Sequence, residues 1–172
     1  FEKYSDAMYA YGKKLTNDSE LVKDMIQDVF IKLFNNRKNL NETTSIKAYL
    51  FIALKRTWIN HQKKILNNHF ESIDEIPFNI ELSTQNSEVD DIFYDEEMRS
   101  KLATALDQLS ERQKEAIYLY YIQEIPLNEV QSLLGMNYQS TRNLIHRAIT
   151  KLRQTIKLTS LLCIFPSLYQ LP

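Results

Sequence analysis

Apolar side chains recur at three- and four-residue spacing over most of this chain, and that period predicts helices. From Val22 to Phe34 the set Val22, Met25, Ile26, Val29, Phe30, Leu33 and Phe34 shares one face, with Lys23, Asp24, Gln27, Asp28 and Lys32 on the other. Tyr4, Met8, Tyr11 and Leu15 repeat the pattern upstream, and Asn17-Asp18-Ser19-Glu20 supplies capping residues to separate the two helices. Residues 35–45 are rich in Asn and Thr and read as a loop. A third helix is expected over 46–66, burying Ile46, Tyr49, Leu50, Ala53, Leu54, Trp58 and Ile59 and leaving a basic outer face.

The period is lost from residue 67 to about 94, where Pro77 interrupts, so an extended or disordered linker is expected, with Ile76 and Phe78 as local apolar contacts. A second helical unit spans 95–157. Leu102, Ala105, Leu106 and Leu109 form its first stripe; Ser110 and Gln113 stand at capping-box spacing before a helix over 111–123 with Ala116, Ile117, Tyr120 and Tyr121. An apolar tail, 158–172, is too short to span a bilayer and is expected to pack on the second unit. The fold class predicted is all-α, two small helical domains (1–66 and 95–157) joined by an acidic linker (67–94).

Composition supports helices: two glycines and four prolines in 172 residues leave little punctuation for hairpins. The single cysteine, Cys163, has no internal disulfide partner, and no zinc-ligand spacing is present. The chain begins at Phe1 with nothing resembling a signal peptide, and a cytoplasmic location is expected. His61, His69 and His146 form no metal or nucleophile constellation, and no phosphate-cradling glycine loop exists, so no enzyme, cofactor or metal is expected.

The net charge of −1 conceals segregation. Glu71, Asp74, Glu75, Glu81, Glu88, Asp90, Asp91, Asp95, Glu96 and Glu97 follow one another with no Lys or Arg between them. Lys47, Lys55, Arg56, Lys63 and Lys64 form an acid-free block before this run; Arg142, Arg147, Lys151, Arg153 and Lys157 form another after it. Two basic blocks around an acidic connector predict two separate nucleic-acid-facing surfaces.

The second block carries a recognisable order: Leu127 to Leu134, then Gly135-Met136, then a long basic helix from about Gln139 to Lys157. A helix-turn-helix needs a residue tolerant of positive φ at its turn, apolar side chains locking the helices, and a polar second helix that enters the major groove. Gly135, Leu134 and Met136 meet the first two needs. Gln139, Ser140, Arg142, Asn143, His146 and Arg147 point outward, with Leu144, Ile145, Ala148 and Leu152 inward. The plainer alternative is that Gly135 ends an ordinary bundle helix whose basic face is solvated. Against it stand Gln139, Arg142 and Asn143, donors suited to base edges and phosphates, in a stretch without acids.

Three segments resemble the extracytoplasmic-function group of bacterial sigma factors, which direct RNA polymerase to promoters. Asp24-Met25-Ile26-Gln27-Asp28-Val29-Phe30 is similar to that family's polymerase-binding helix, and Ile46-Lys47-Ala48-Tyr49-Leu50-Phe51-Ile52-Ala53 with Lys63-Lys64 to its −10 helix. Leu106 to Gln113, and Ile145-His146-Arg147-Ala148 with Lys151-Leu152-Arg153, are similar to its C-terminal domain. The two expected domains then correspond to sigma region 2 and sigma region 4.

The resemblance implies roles. Asp24, Gln27 and Asp28 would meet the β′ clamp of core RNA polymerase; Lys55, Arg56, Asn60 and Lys63 would face the −10 strand; the outward set of the last helix would read −35 DNA. The loop over 35–45 would capture a flipped base, and the acidic linker would thread polymerase channels. Tyr49 and Trp58 are assigned to the core rather than to a stacking platform. Further partners implied are the β flap, promoter DNA and an anti-sigma factor. Arg56 stands where the family commonly has Asn, and Gln131 where a helix-turn-helix usually has a small residue. These departures keep two alternatives open: a stand-alone helix-turn-helix regulator, and a factor placed on DNA by another targeting complex, an RNA-guided one included.

Overall fold

A computed structural model describes residues 2–37, 45–65, 76–80 and 96–155. Helix α1 (Glu2–Leu15) stops at Thr16 and Asn17, and α2 (Ser19–Asn36) starts where the Asp18 carboxylate accepts from the Glu20 and Leu21 amides, both at 3.0 Å. Gly12 lets the pair close: a Cβ there would meet Val22 Cγ1 at 2.6 Å. Helix α3 (Ile46–Ile65) packs on α1 and α2. The expected helices are therefore present, and the described residues contain no strand.

The second half begins with α4 (Glu96–Asp107), then α5 (Glu111–Ile117), whose start is the predicted capping box between Ser110 and Gln113. Helix α5 runs on into a π-helical turn, Tyr118–Ile122, which closes where the Gln123 amide donates to Tyr118 O at 2.9 Å. Helix α6 (Leu127–Leu134) ends at Gly135 with φ +62°, and α7 (Tyr138–Thr155) crosses α4, α5 and α6.

The halves share one apolar core, because α3 also packs on α6. Tyr11 and Phe51 rings stack at 4.6 Å, and Phe78 and Tyr118 extend that cluster across the seam. Ile76 and Phe78, from the acidic stretch, are buried as expected of them. Their segment is tied to both halves: the Phe78 amide donates to Glu111 Oε2 at 2.6 Å and the Asn79 amide to Lys14 O at 3.0 Å. Thus part of the stretch expected as linker is core. The rest of that stretch, most of the loop expected over 35–45 and the apolar tail lie outside the described residues.

The α3 pattern is rotated relative to expectation. Ile46 and Tyr49 are exposed, at 53% and 38%, whereas Ala48, Phe51 and Lys55 join Leu50, Leu54 and Trp58 inside. A helix packed between α1–α2 and α6 buries more than one stripe, and a single-face reading misses the second.

Candidate nucleic-acid interface

Helix α7 is positioned by its inward side chains. Ile145, Ala148, Ile149 and Leu152 are buried, Leu144 is half-buried, and Thr141 is fully buried with its hydroxyl donating to Asn137 O at 3.0 Å. Asn137 also caps the helix, its Oδ1 accepting from the Ser140 amide at 2.8 Å. The turn before it is tied by Met136 N to Gln131 O at 2.9 Å, while the Arg112 guanidinium donates to Leu134 O at 3.0 Å. Gln131 is accommodated half-buried within this geometry.

The outward set is brought together on one side of α7. Gln139, Arg142, Asn143, His146 and Arg147 are exposed and Ser140 is half-buried, with Gln139 Nε2 donating to Asn143 Oδ1 at 3.2 Å. Amide, guanidinium and imidazole donors on an exposed helix after a tight turn form a surface that can enter a major groove.

On α3, Arg56, Asn60 and Lys63 are exposed and recur at four and three residues, one stripe. Lys55 does not belong with them, which corrects the sequence reading. Its ammonium is buried at the seam, 2.8 Å from both carboxylate oxygens of Glu115 and 3.2 Å from Leu133 O. Adjacent residues on a helix point about 100° apart, and here that step carries Lys55 under α6. Tyr11 completes the group, donating to Glu115 Oε1 at 2.7 Å. Burial pushes the Tyr11 hydroxyl well above the usual phenol range, and the Glu115 carboxylate raises it further.

On α2, Asp24, Gln27 and Asp28 are exposed as expected. The stripe continues through Ile31 and Phe34, 50% and 65% exposed, with the Arg37 guanidinium 4.2 Å from the Phe34 ring. Phe34, whose spacing predicts the buried face, is open instead, because the last turn of α2 extends past the core it would pack on. Among the described residues no group of three His, Cys, Asp or Glu could hold a metal. No helix among them is long and apolar enough to cross a membrane.

Among the described residues, a wholly helical fold, a helix-turn-helix with an open polar face and a second basic stripe on the other half form the arrangement of a nucleic-acid-binding protein. Residues 1–65 match the model of Sigma-70 region 2, and residues 99–152 that of Sigma-70, region 4. The RNA polymerase sigma factor YlaC of Bacillus subtilis is 22% identical over 91% of this chain and 89% of its own length. The ECF RNA polymerase sigma factor SigM of the same organism is 20% identical over 89% and 90%. Among solved structures, the sigma factor RpoE of Bartonella quintana, in complex with the anti-sigma factor NepR, has a similar fold: TM-score 0.60, 19% identity, 91% of this chain and 94% of that one. The chain belongs to the sigma-70 family, in its extracytoplasmic-function group of RNA polymerase sigma factors.

Proposed function

We propose that this sigma factor binds core RNA polymerase through α2 and directs it to promoters, with α3 facing −10 DNA and α7 reading −35 DNA. The observation that carries the reading is the exposure of three polar helix faces on a chain matching region 2 and region 4 in order. Asp24, Gln27 and Asp28 supply an acidic patch for a basic clamp surface, and Ile31 and Phe34 extend it with apolar area. Asp24 and Asp28 repel each other mildly at four-residue spacing, a cost that a cationic partner offsets. Arg56 and Lys63 neutralise strand phosphates, and the exposed Tyr49 ring offers a stacking platform for an unpaired base. Arg142 and Asn143 read base edges; Arg147 holds the duplex backbone. The β flap would seat region 4, and an anti-sigma factor, of the kind bound to the Bartonella quintana protein, would compete for these faces. The factor works by binding, with no catalytic site of its own.

The test is run-off transcription with core polymerase on genomic templates. Start-site selection by the pair supports the reading, and absence of core binding overturns it in favour of a stand-alone regulator. Arg142→Ala is expected to cost about 1–3 kcal/mol of promoter binding and relax selectivity at one position.

A further inference from the structure

The described residues are packed too closely to occupy both promoter elements. A packed unit of about 120 residues has a radius of gyration of about 14 Å. Elements named for positions about 25 base pairs apart lie roughly 85 Å apart along a duplex at 3.4 Å per pair. The arrangement with α3 packed on α6 is therefore a closed state distinct from the promoter-bound one.

Most of its seam is apolar, which resists separation without regard to state. One exception is a buried ionic group. Lys55, from the half that faces −10 DNA, has three donor directions, and the structure fills them with the two Glu115 oxygens and Leu133 O. Glu115 and Leu133 both come from the half that reads −35 DNA, and Tyr11 adds a hydroxyl from the first half to the same carboxylate. About two turns earlier on α3, Lys47 Nζ reaches across to Gln123 O at 2.8 Å.

We propose that the buried Lys55–Glu115–Tyr11 group is a latch: Glu115 occupies Lys55 as a DNA phosphate would, holding the halves closed until promoter engagement exchanges one anion for the other. Each part follows from its placement. A lysine beside the Arg56, Asn60 and Lys63 stripe gains phosphate only if the halves part, because its ammonium is covered by α6. Parting the halves in water restores hydration to both charges, so opening has a recoverable cost. A purely apolar contact offers no such exchange. The inference rests on the proposed placement of α3 at −10 DNA.

The experiment uses the full chain with Cys163→Ser and spin labels at Lys32→Cys and Gln154→Cys, both exposed positions on opposite halves. The unaltered pair gives a short inter-label distance. Glu115→Gln and Lys55→Met are expected to populate a long one, and Tyr11→Phe to do so partially. Lys55→Met combined with Glu115→Leu replaces the ion pair with apolar contact and is expected to return the short distance. A Glu115→Gln chain with unchanged helical circular dichroism and only the short distance overturns the latch; so does a short distance in Tyr11→Phe if Glu115→Gln fails to fold. Binding of a fluorescein-labelled single-stranded oligonucleotide separates the two layers. Glu115→Gln is expected to bind several-fold tighter than the unaltered chain, with no such gain in Lys55→Met. Opening without that gain leaves the latch standing and overturns the placement of α3 on the −10 strand.

Discussion

Helices α3 and α7 carry similar polar patterns, yet they stand differently in the molecule. Every outward residue expected of α7 lies at or near the surface, while one of four expected of α3 is buried in an ion pair with a residue 60 positions away. Helix α7 packs through one side on its own half, so its amphipathic stripe determines what is open. Helix α3 packs on its own half and on the other, so its second buried face depends on where α6 sits. A polar face read from periodicity is a promise of exposure only for a helix with one neighbour side.

The largest expected effect sets these helices against each other. Lys55→Met leaves the Glu115 carboxylate buried without its cation and should lower unfolding stability by about 3–5 kcal/mol. Arg142→Ala, on the exposed face of α7, should stay within about 0.5 kcal/mol. Urea unfolding of both variants decides it: similar midpoints would break the contrast between a structural and a free cation.

Tyr11→Phe is the next step down. It removes a hydrogen bond to a charged acceptor, expected at about 1.5–3 kcal/mol, while keeping the ring stacked on Phe51. The hydroxyl also fixes a pH dependence. Its folded-state pKa is raised, so the folded chain favours the neutral phenol. The resulting stability is complete below the ordinary phenol value of about 10 and declines as pH rises above it. Thermal unfolding followed from neutral to alkaline pH should show a fall near that value in the unaltered chain, and a smaller one in Tyr11→Phe.

What could be read from residues alone divides along the same line. The two caps, Asp18 and Ser110, and the Gly135 turn were legible because each depends on neighbours within a few positions. Ile76 and Phe78 were legible because apolar side chains in an acidic run have few other reasons to be there. Lys55 was not, because a lysine at a polar helix position is normally solvated and its partner is distant in sequence. Phe34 was misassigned for the opposite reason: its spacing fits the buried stripe, but the core ends before it. The π-helical turn at Tyr118 has no local signature, and it places that ring beside Tyr11 and Phe78.

The two glycines extend the comparison to space against backbone. Gly12→Ala forces a Cβ onto the Val22 methyl and should cost about 1–3 kcal/mol, most of it recovered with Val22→Ala. At Gly135 an added Cβ meets nothing within 4 Å, so only the left-handed backbone resists, and Gly135→Ala should cost about 1 kcal/mol. Thermal midpoints of the three variants check this; a Gly135→Ala loss repaired by trimming a neighbour would contradict it.

The smallest effect belongs to the caps, one in each half. Asp18 satisfies two amides at the start of α2, and Ser110 Oγ satisfies the Gln113 amide at the start of α5 while Gln113 Oε1 accepts from the Ser110 amide at 3.1 Å. Asp18→Ala and Ser110→Ala should each cost about 1 kcal/mol, since either exposes first-turn donors that water can partly satisfy. Their difference lies in cooperativity. If the shared core makes the halves unfold together, both variants shift one common transition, seen alike by tyrosine fluorescence and helical circular dichroism. If each cap loosens only its own half, two transitions separate, and the seam at Lys55 and Glu115 is weaker than its burial implies.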